Sequence, residues 1–385
     1  MKKKINNKYI LIYLIILLFL SYFFLYFKHQ VGNDSTISEW LINYEGGFTR
    51  RGFTGHGMIL LSRFFDLELR WTIFLSQSFF CTFYFILLWH LLKNLQTNKI
   101  INLSIFTPIF ILYPVAEIEV LARKEIIVFT FFLIYLLIPS HHKFKNFSLI
   151  LFSFFSVLVW EPIIFFFPLI FLYLIIENRI EKLNLNFVKF VLFMAPGILL
   201  ALYMATNPLN ASEWKVMASV LKNEFGERCY MSCDLLLHKS SIYQQSYDVF
   251  ILLNFERVFR YLMVIIVGFG PLIILLKYTI FDKKILRLIY FIILFPIIVL
   301  FFMMTDWGRT VNMFYTFSIL SFLYLYEKKI FKVSKYTNKN FFVKFFSNRK
   351  LLITFFIVFS FGWNPKTSIV GDVGSKPGYQ IPKKK

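Results

Sequence analysis

Long apolar runs, too uniform to show a one-sided helical period, recur along the whole chain and are separated by short polar segments. About 20 such residues suffice for a helix to cross the hydrocarbon core. On that length the pattern predicts spans near 9–28, 71–92, 103–121, 125–140, 187–206, 257–276, 286–304, 312–326 and 351–363. The stretch 149–176 is too long for one comfortable helix and is interrupted by Trp160-Glu161-Pro162. Proline removes a backbone donor and clashes with the preceding turn, so this stretch reads as two short helices meeting at a break. The pattern therefore predicts an all-α, polytopic transmembrane helix bundle of about eleven spans. It forms one membrane domain over residues 1–363, with external loops at 29–70 and 207–256 and a short polar tail at 364–385.

Composition supports lipid as the solvent. The chain has 385 residues, 58% hydrophobic and only 16% charged, with a mean hydropathy of +0.65, whereas soluble domains carry about 25% charged residues. A chain of this length could hold more than one soluble domain, but the apolar runs leave no room for a separate soluble core. Residues 1–8 are basic and lead into the apolar run 9–27, as in a signal peptide. That run is too long for a signal core and no small-residue cleavage site follows, so it is expected to remain as the first span.

The net charge of +21 would suggest nucleic acid in a soluble protein. Here the basic residues gather in the short segments between apolar runs, where they set topology, and a nucleic-acid partner is not expected. A cytoplasmic N-terminus puts Lys93 and Lys99, Lys143 and Lys145, Arg179 and Lys182, the Lys283-Lys284-Arg287 group and the basic run 328–350 on one side. Reading 149–176 as a single helix would send the 328–350 run outside. The 52 phenylalanines, with abundant Ile, Lys and Asn, match the composition of an AT-rich bacterial genome by association, and no internal repeat is evident.

The polar motifs fall on the outer side of this topology. Residues 32–57 bring together Asp34, Glu39, Glu45, Arg50, Arg51, His56 and several glycines. Glycine lets a backbone approach a ligand closely, and paired arginines present planar donors suited to phosphate; the alternative is an ordinary solvated loop. Residues 114–125 carry Glu117, Glu119, Arg123, Lys124 and Glu125 where the third span meets the fourth. Such charges at the edge of hydrocarbon must pair or line a wet cavity, and Glu119 and Arg123 at helical spacing offer an internal ion pair as the plainer alternative. Glu161 at the break, and Asp306 and Arg309 beside Trp307, complete four charged clusters on one face, expected to share one outward-opening cavity. Trp160 and Trp307 also suit the interfacial aromatic belt.

Cys229 and Cys233 in the long external loop fit a disulfide in an oxidising compartment, with two free thiols as the alternative. Cys81 lies in an apolar run and reads as core. There is no metal constellation of diagnostic spacing, no phosphate-binding glycine loop and no dinucleotide fingerprint. No cofactor is expected, although a divalent metal stays open. Without ATP chemistry, an outward-facing enzyme must draw on its substrate's own leaving group. A polyprenyl-linked sugar meets that requirement, with a carboxylate orienting an acceptor hydroxyl and arginines holding the departing phosphate.

In layout the chain resembles bacterial polysaccharide polymerases of the Wzy type and the wider group of polytopic glycosyltransferases of GT-C architecture. The likeness rests on the span number, the carboxylate-bearing first external loop, the larger second loop and the outward arginines. The segment Asn43-Tyr44-Glu45-Gly46-Gly47-Phe48-Thr49-Arg50-Arg51-Gly52 is similar to segments of membrane proteins from polysaccharide clusters. The GT-C resemblance implies a catalytic acid in the first loop, pointing to Asp34, Glu39 or Glu45, to which the other outward acids Glu119 and Glu161 are added as candidates. The polymerase resemblance implies glycan or pyrophosphate handling by Arg50, Arg51, Arg123 and Arg309, with Lys124 and Asp306 alongside. The expected function is O-antigen-type polymerisation in lipopolysaccharide biosynthesis at the cell inner membrane, joining undecaprenyl-pyrophosphate-linked repeat units. The expected partners are the polyprenyl-linked oligosaccharide and membrane lipids, a chain-length regulator being left open. A transferase adding a single sugar from a polyprenyl phosphate, and a lipid-glycan flippase, are the alternatives.

Overall fold

A computed structural model of the chain describes residues 7–31, 35–117, 119–140, 142–178, 185–228, 232–233, 236, 242–277, 298–331 and 349–366. The described residues are helical, with no strand among them. The first apolar run forms α1 (Lys8–Val31), and the second forms α4 (Leu69–Leu92). Between them, where a loop was expected, the chain folds into α2 (Ser35–Leu41) and α3 (Gly52–Phe65). Among the described residues five helical stretches are long and apolar enough to cross a membrane: Lys8–Gln30, Leu69–Leu92, Lys99–Ala116, Val188–Thr206 and Phe255–Leu276. The chain is thus a multi-pass membrane protein.

The stretch Lys99–Ala116 is not one regular helix. It consists of α5 (Lys99–Ile105), a wide turn over Pro108–Leu112 in which Phe110 leaves helical geometry, and the single turn α6 (Tyr113–Ala116). Pro108 and Pro114 each delete a backbone donor, so carbonyls are left over. Asn312 satisfies two of them, its Nδ2 donating to the carbonyls of Ile109 and Phe110 at 2.9 Å each. The predicted break at Trp160 is present. Helix α8 (Phe144–Val159) stops, Trp160 is extended, and a tight turn over Glu161–Phe166 leads into α9 (Phe167–Glu177).

Helix α7 (Glu125–Leu137), shorter than the five membrane-length stretches, packs on α4, and α10 (Leu185–Thr206) crosses α8 closely. A Cβ on Gly197 would stand 2.6 Å from the Ser153 carbonyl oxygen. Beyond α10 lie α11 (Ala211–Phe225), α12 (Ile242–Leu252), α13 (Phe255–Lys277), α14 (Trp307–Glu327) and α15 (Arg349–Phe361). Helix α14 is buried over almost its whole circumference and forms the pillar of the bundle. Its polar residues explain why it can stand there without facing lipid: the Tyr315 hydroxyl donates to the Ser104 carbonyl at 2.7 Å, and that of Tyr324 to Glu177 at 3.0 Å. Of the predicted span 286–304, only the end from 298 lies within the described residues.

Candidate functional site: a buried charge network

The charged segments singled out in the sequence converge at one end of α14. Glu39 projects from α2, Arg51 stands at the start of α3, and Arg123, Lys124 and Glu125 occupy the turn into α7. Glu161 sits at the α8 break, and Asp306 and Arg309 open α14. At the centre Glu39 meets both Arg123 (3.1 Å) and Arg309 (3.3 Å). Arg309 also pairs with Glu125 and lies 3.6 Å from Asp306, while Arg123 reaches Asp306 at 3.5 Å. Beside this group, Arg51 grips Glu161 with two parallel bonds, Nε to Oε2 at 2.8 Å and Nη2 to Oε1 at 2.9 Å. Lys124 donates to the Arg51 carbonyl and ties the two groups together. The Arg309 guanidinium stands 5.5 Å from the ring centre of Trp160, a cation–π contact.

The network is deeply buried. The side chains of Glu39 and Arg309 are 2% and 3% exposed, and Lys124 is fully covered. Its open rim is Arg50, with a side chain 37% exposed and 3.9 Å from Glu161. Burial alone would raise the Glu39 carboxyl, but Arg123 and Arg309 outweigh it and hold the group at about 2. Burial would likewise raise Glu161, and Arg51 holds it below the usual carboxylate range. Burial pushes the Lys124 ammonium down to about 7 despite nearby Glu39. Four guanidinium groups, Arg50, Arg51, Arg123 and Arg309, thus face four carboxylates, Glu39, Glu125, Glu161 and Asp306, with Lys124 bound to a backbone carbonyl between them. Arg50, at the open edge, is the guanidinium an incoming anion would meet first.

Local backbone geometry sets these groups in place. Arg51 (φ 62°) and Ala122 (φ 51°) both adopt the left-handed conformation, which costs a non-glycine residue about 1–2 kcal/mol. The Ala122 carbonyl is held by two donors, Trp40 Nε1 at 3.0 Å and Gln77 Nε2 at 3.2 Å, and Gln77 in turn meets His29 Nε2 at 2.8 Å. Sequence reading missed this supporting chain and also the central role of Glu125. A glutamine within the apolar run of α4 was the available signal, because a polar group at membrane depth needs a partner. A cavity of about 280 Å³, bordered by Tyr26, His29, Glu68, Arg70, Trp71 and Phe74, opens beside this chain. A much smaller one, about 30 Å³, lies inward of Arg123, Glu125 and Arg309.

Not every expected residue joins the network. Glu45 belongs to a separate, more exposed cluster, 2.8 Å from Arg63, which also binds Glu224 of α11 at 2.6 and 2.7 Å. Glu119 is exposed on a turn, not on a helix, so the i,i+4 geometry that would pair it with Arg123 is not formed; Arg123 instead bonds Glu39 and Asp306. Glu117 faces the other way and holds Asn364 (3.1 Å) and Lys366 (2.9 Å). Cys233 is disulfide-bonded and buried beside Ile42 and Met217, and Cys81 is a buried free thiol. Asp34 and Cys229 lie outside the described residues. Among the described residues no three metal-ligating side chains converge. No family model, curated protein or solved structure matches this chain.

Proposed function

We propose that this chain is a glycosyltransferase of cell-surface polysaccharide assembly in the bacterial inner membrane, acting as an O-antigen-type polymerase on polyprenyl-pyrophosphate-linked repeat units. What supports it most is the convergence of charge from five chain segments on one end of α14, with the Arg50 guanidinium at the rim. An anionic group arriving there meets preorganised guanidinium donors that need little rearrangement. In the proposed reaction an acceptor hydroxyl attacks the anomeric carbon of the donor glycan. The bond to the pyrophosphate oxygen breaks, its electron pair remains on the lipid pyrophosphate, and the hydroxyl proton is released.

Glu39 is too firmly held as a carboxylate between two arginines to serve as a base near neutral pH, so its part is to position Arg123 and Arg309. Glu161 stands closer to the rim and is the carboxylate assigned to orient the acceptor. The cavity at Trp71 is large enough for a sugar ring, with aromatic and polar walls of the kind sugars use. About eleven spans with the N-terminus in the cytoplasm, as the basic loops predict, place the network on the non-cytoplasmic face.

The test is surface glycan banding in a strain lacking the protein, complemented with wild type, Arg50→Ala or Arg51→Ala at matched protein abundance. A ladder that collapses to one repeat unit and returns only with wild type is expected. An unchanged ladder refutes the polymerase. Loss of one branch sugar from full-length polymer would point to the single-sugar transferase, and loss of all surface glycan with lipid-linked units retained inside would point to the flippase.

A further inference from the structure

Helix α3 is apolar on its exposed side as well as on its buried one. Its inward face mixes small, polar and apolar residues: Gly52, Thr54, Gly55, Met58, Ile59 and Ser62 are buried. A Cβ on Gly55 would lie 2.0 Å from the Ile42 carbonyl oxygen, so the helix sits tight against the end of α2. Its outward face presents Phe53, Leu60, Leu61 and Phe64, the last 80% exposed. These positions follow one helical stripe, and Gly57, within the same stripe, would add its Cβ into open space. A continuous apolar strip of this kind on a soluble loop would be an aggregation hazard.

The surroundings identify what covers it. Only Asp66, Leu67 and Glu68 separate α3 from α4, a membrane-length helix whose exposed Trp71, Leu75 and Phe79 continue the apolar surface. The first turn of α3 packs against α8, another apolar helix, through the ring contact of Phe53 with Phe155 at 5.8 Å. The one cation in its second half, Arg63, is drawn to Glu45 and Glu224, as snorkelling arginines are at an interface. We infer that α3 is an interfacial membrane helix, its Phe53–Leu60–Leu61–Phe64 face seated among the acyl chains, so that Arg50 and Arg51 at its start stand at headgroup depth. The partner of this surface is the bilayer itself. That the headgroup reaching Arg50 is a lipid-linked pyrophosphate rests on the proposed function; the seat of the helix does not.

The experiment uses the full chain in nanodiscs of phosphatidylethanolamine and phosphatidylglycerol. Spin labels are placed through Leu61→Cys and Phe64→Cys, with Glu68→Cys for comparison and the unsubstituted chain as blank. Collision with oxygen is compared with collision with a water-soluble nickel chelate. Labels at 61 and 64 should favour oxygen, with the ratio reversed at 68. A preference for the nickel chelate at 61 and 64 would place this face in water, and low accessibility to both would mean that a second copy or another protein covers it; either result overturns the inference. A normal polymer ladder in the strain lacking the protein together with oxygen-favoured labels would refute the function while leaving the seat of α3 intact.

Discussion

At the scale of single residues, the charges that matter were visible because each one is expensive where it stands. Arg123, Arg309 and Glu161 lie at the edges of apolar runs, and such groups persist only when paired. Their partners were not visible, since Glu39 and Arg309 are brought together from distant parts of the chain by packing that no local spacing encodes. Glu45 looked equivalent to Glu39 in the sequence, yet one is partly exposed beside Arg63 and the other is sealed between two guanidinium groups. Arg309→Ala would strand Glu125 and leave Glu39 to Arg123 alone, and breaking a buried pair in this way costs about 3–5 kcal/mol. Arg309→Lys restores the charge without the fork geometry and should recover only part of that loss, as read by thermal unfolding of the purified protein.

Two limbs of the pH–stability profile follow from the same groups. Glu39 and Glu161 have folded values below the ordinary one, so the stability they contribute is complete above the unfolded carboxylate value. It is lost as pH falls toward about 2, where Glu39 is protonated. Lys124 is depressed to about 7, so from there up to its ordinary value of 10.5 the unfolded chain binds the extra proton and stability rises with pH. Unfolding midpoints measured across this alkaline range should climb more steeply in the wild type than in Lys124→Met. Equal slopes in the two proteins would show that Lys124 is not the responsible group.

At the scale of elements, the break after α8 was legible because proline acts locally: Pro162 stops regular helix whatever surrounds it. The kink over Pro108–Leu112 was not, because its stability depends on Asn312 from a helix far along the chain. Asn312→Leu should leave two buried carbonyls without donors, a loss of about 1–3 kcal/mol per group; unchanged thermal stability would show that other donors replace it. Helix α3 was hidden for a different reason. Its glycines suggested a loop, and its apolar residues are too few to register as a span. Gly52 and Gly55 serve close packing instead, and Gly46 nearby is the sharpest case. A Cβ there would stand 1.9 Å from the Glu213 carbonyl oxygen of α11, so Gly46→Val should lift α11 from the first loop, overpacking of this sort costing about 1–3 kcal/mol. Faster hydrogen exchange across residues 211–225 is the expected readout.

At the scale of the whole molecule, the class of protein was the most legible feature, because hydropathy integrates over many residues and tolerates local error. The convergence of four charged clusters on one site could be anticipated only through topology, by placing all of them on one face of the membrane. Packing adds what topology lacks: α14 as a central pillar whose first turn gathers the charges while its flanks hold the kinked and broken helices in place.

The apolar stripe of α3 also bears on how concentration itself should be counted. On the proposed function, with α3 embedded and Arg50 at its start, a lipid-linked substrate would reach the rim by two-dimensional diffusion, and its mole fraction among the surrounding amphiphiles would govern occupancy. Rates measured in detergent should then fall when micelles are added at constant substrate and enzyme, and stay constant when substrate and detergent are raised together.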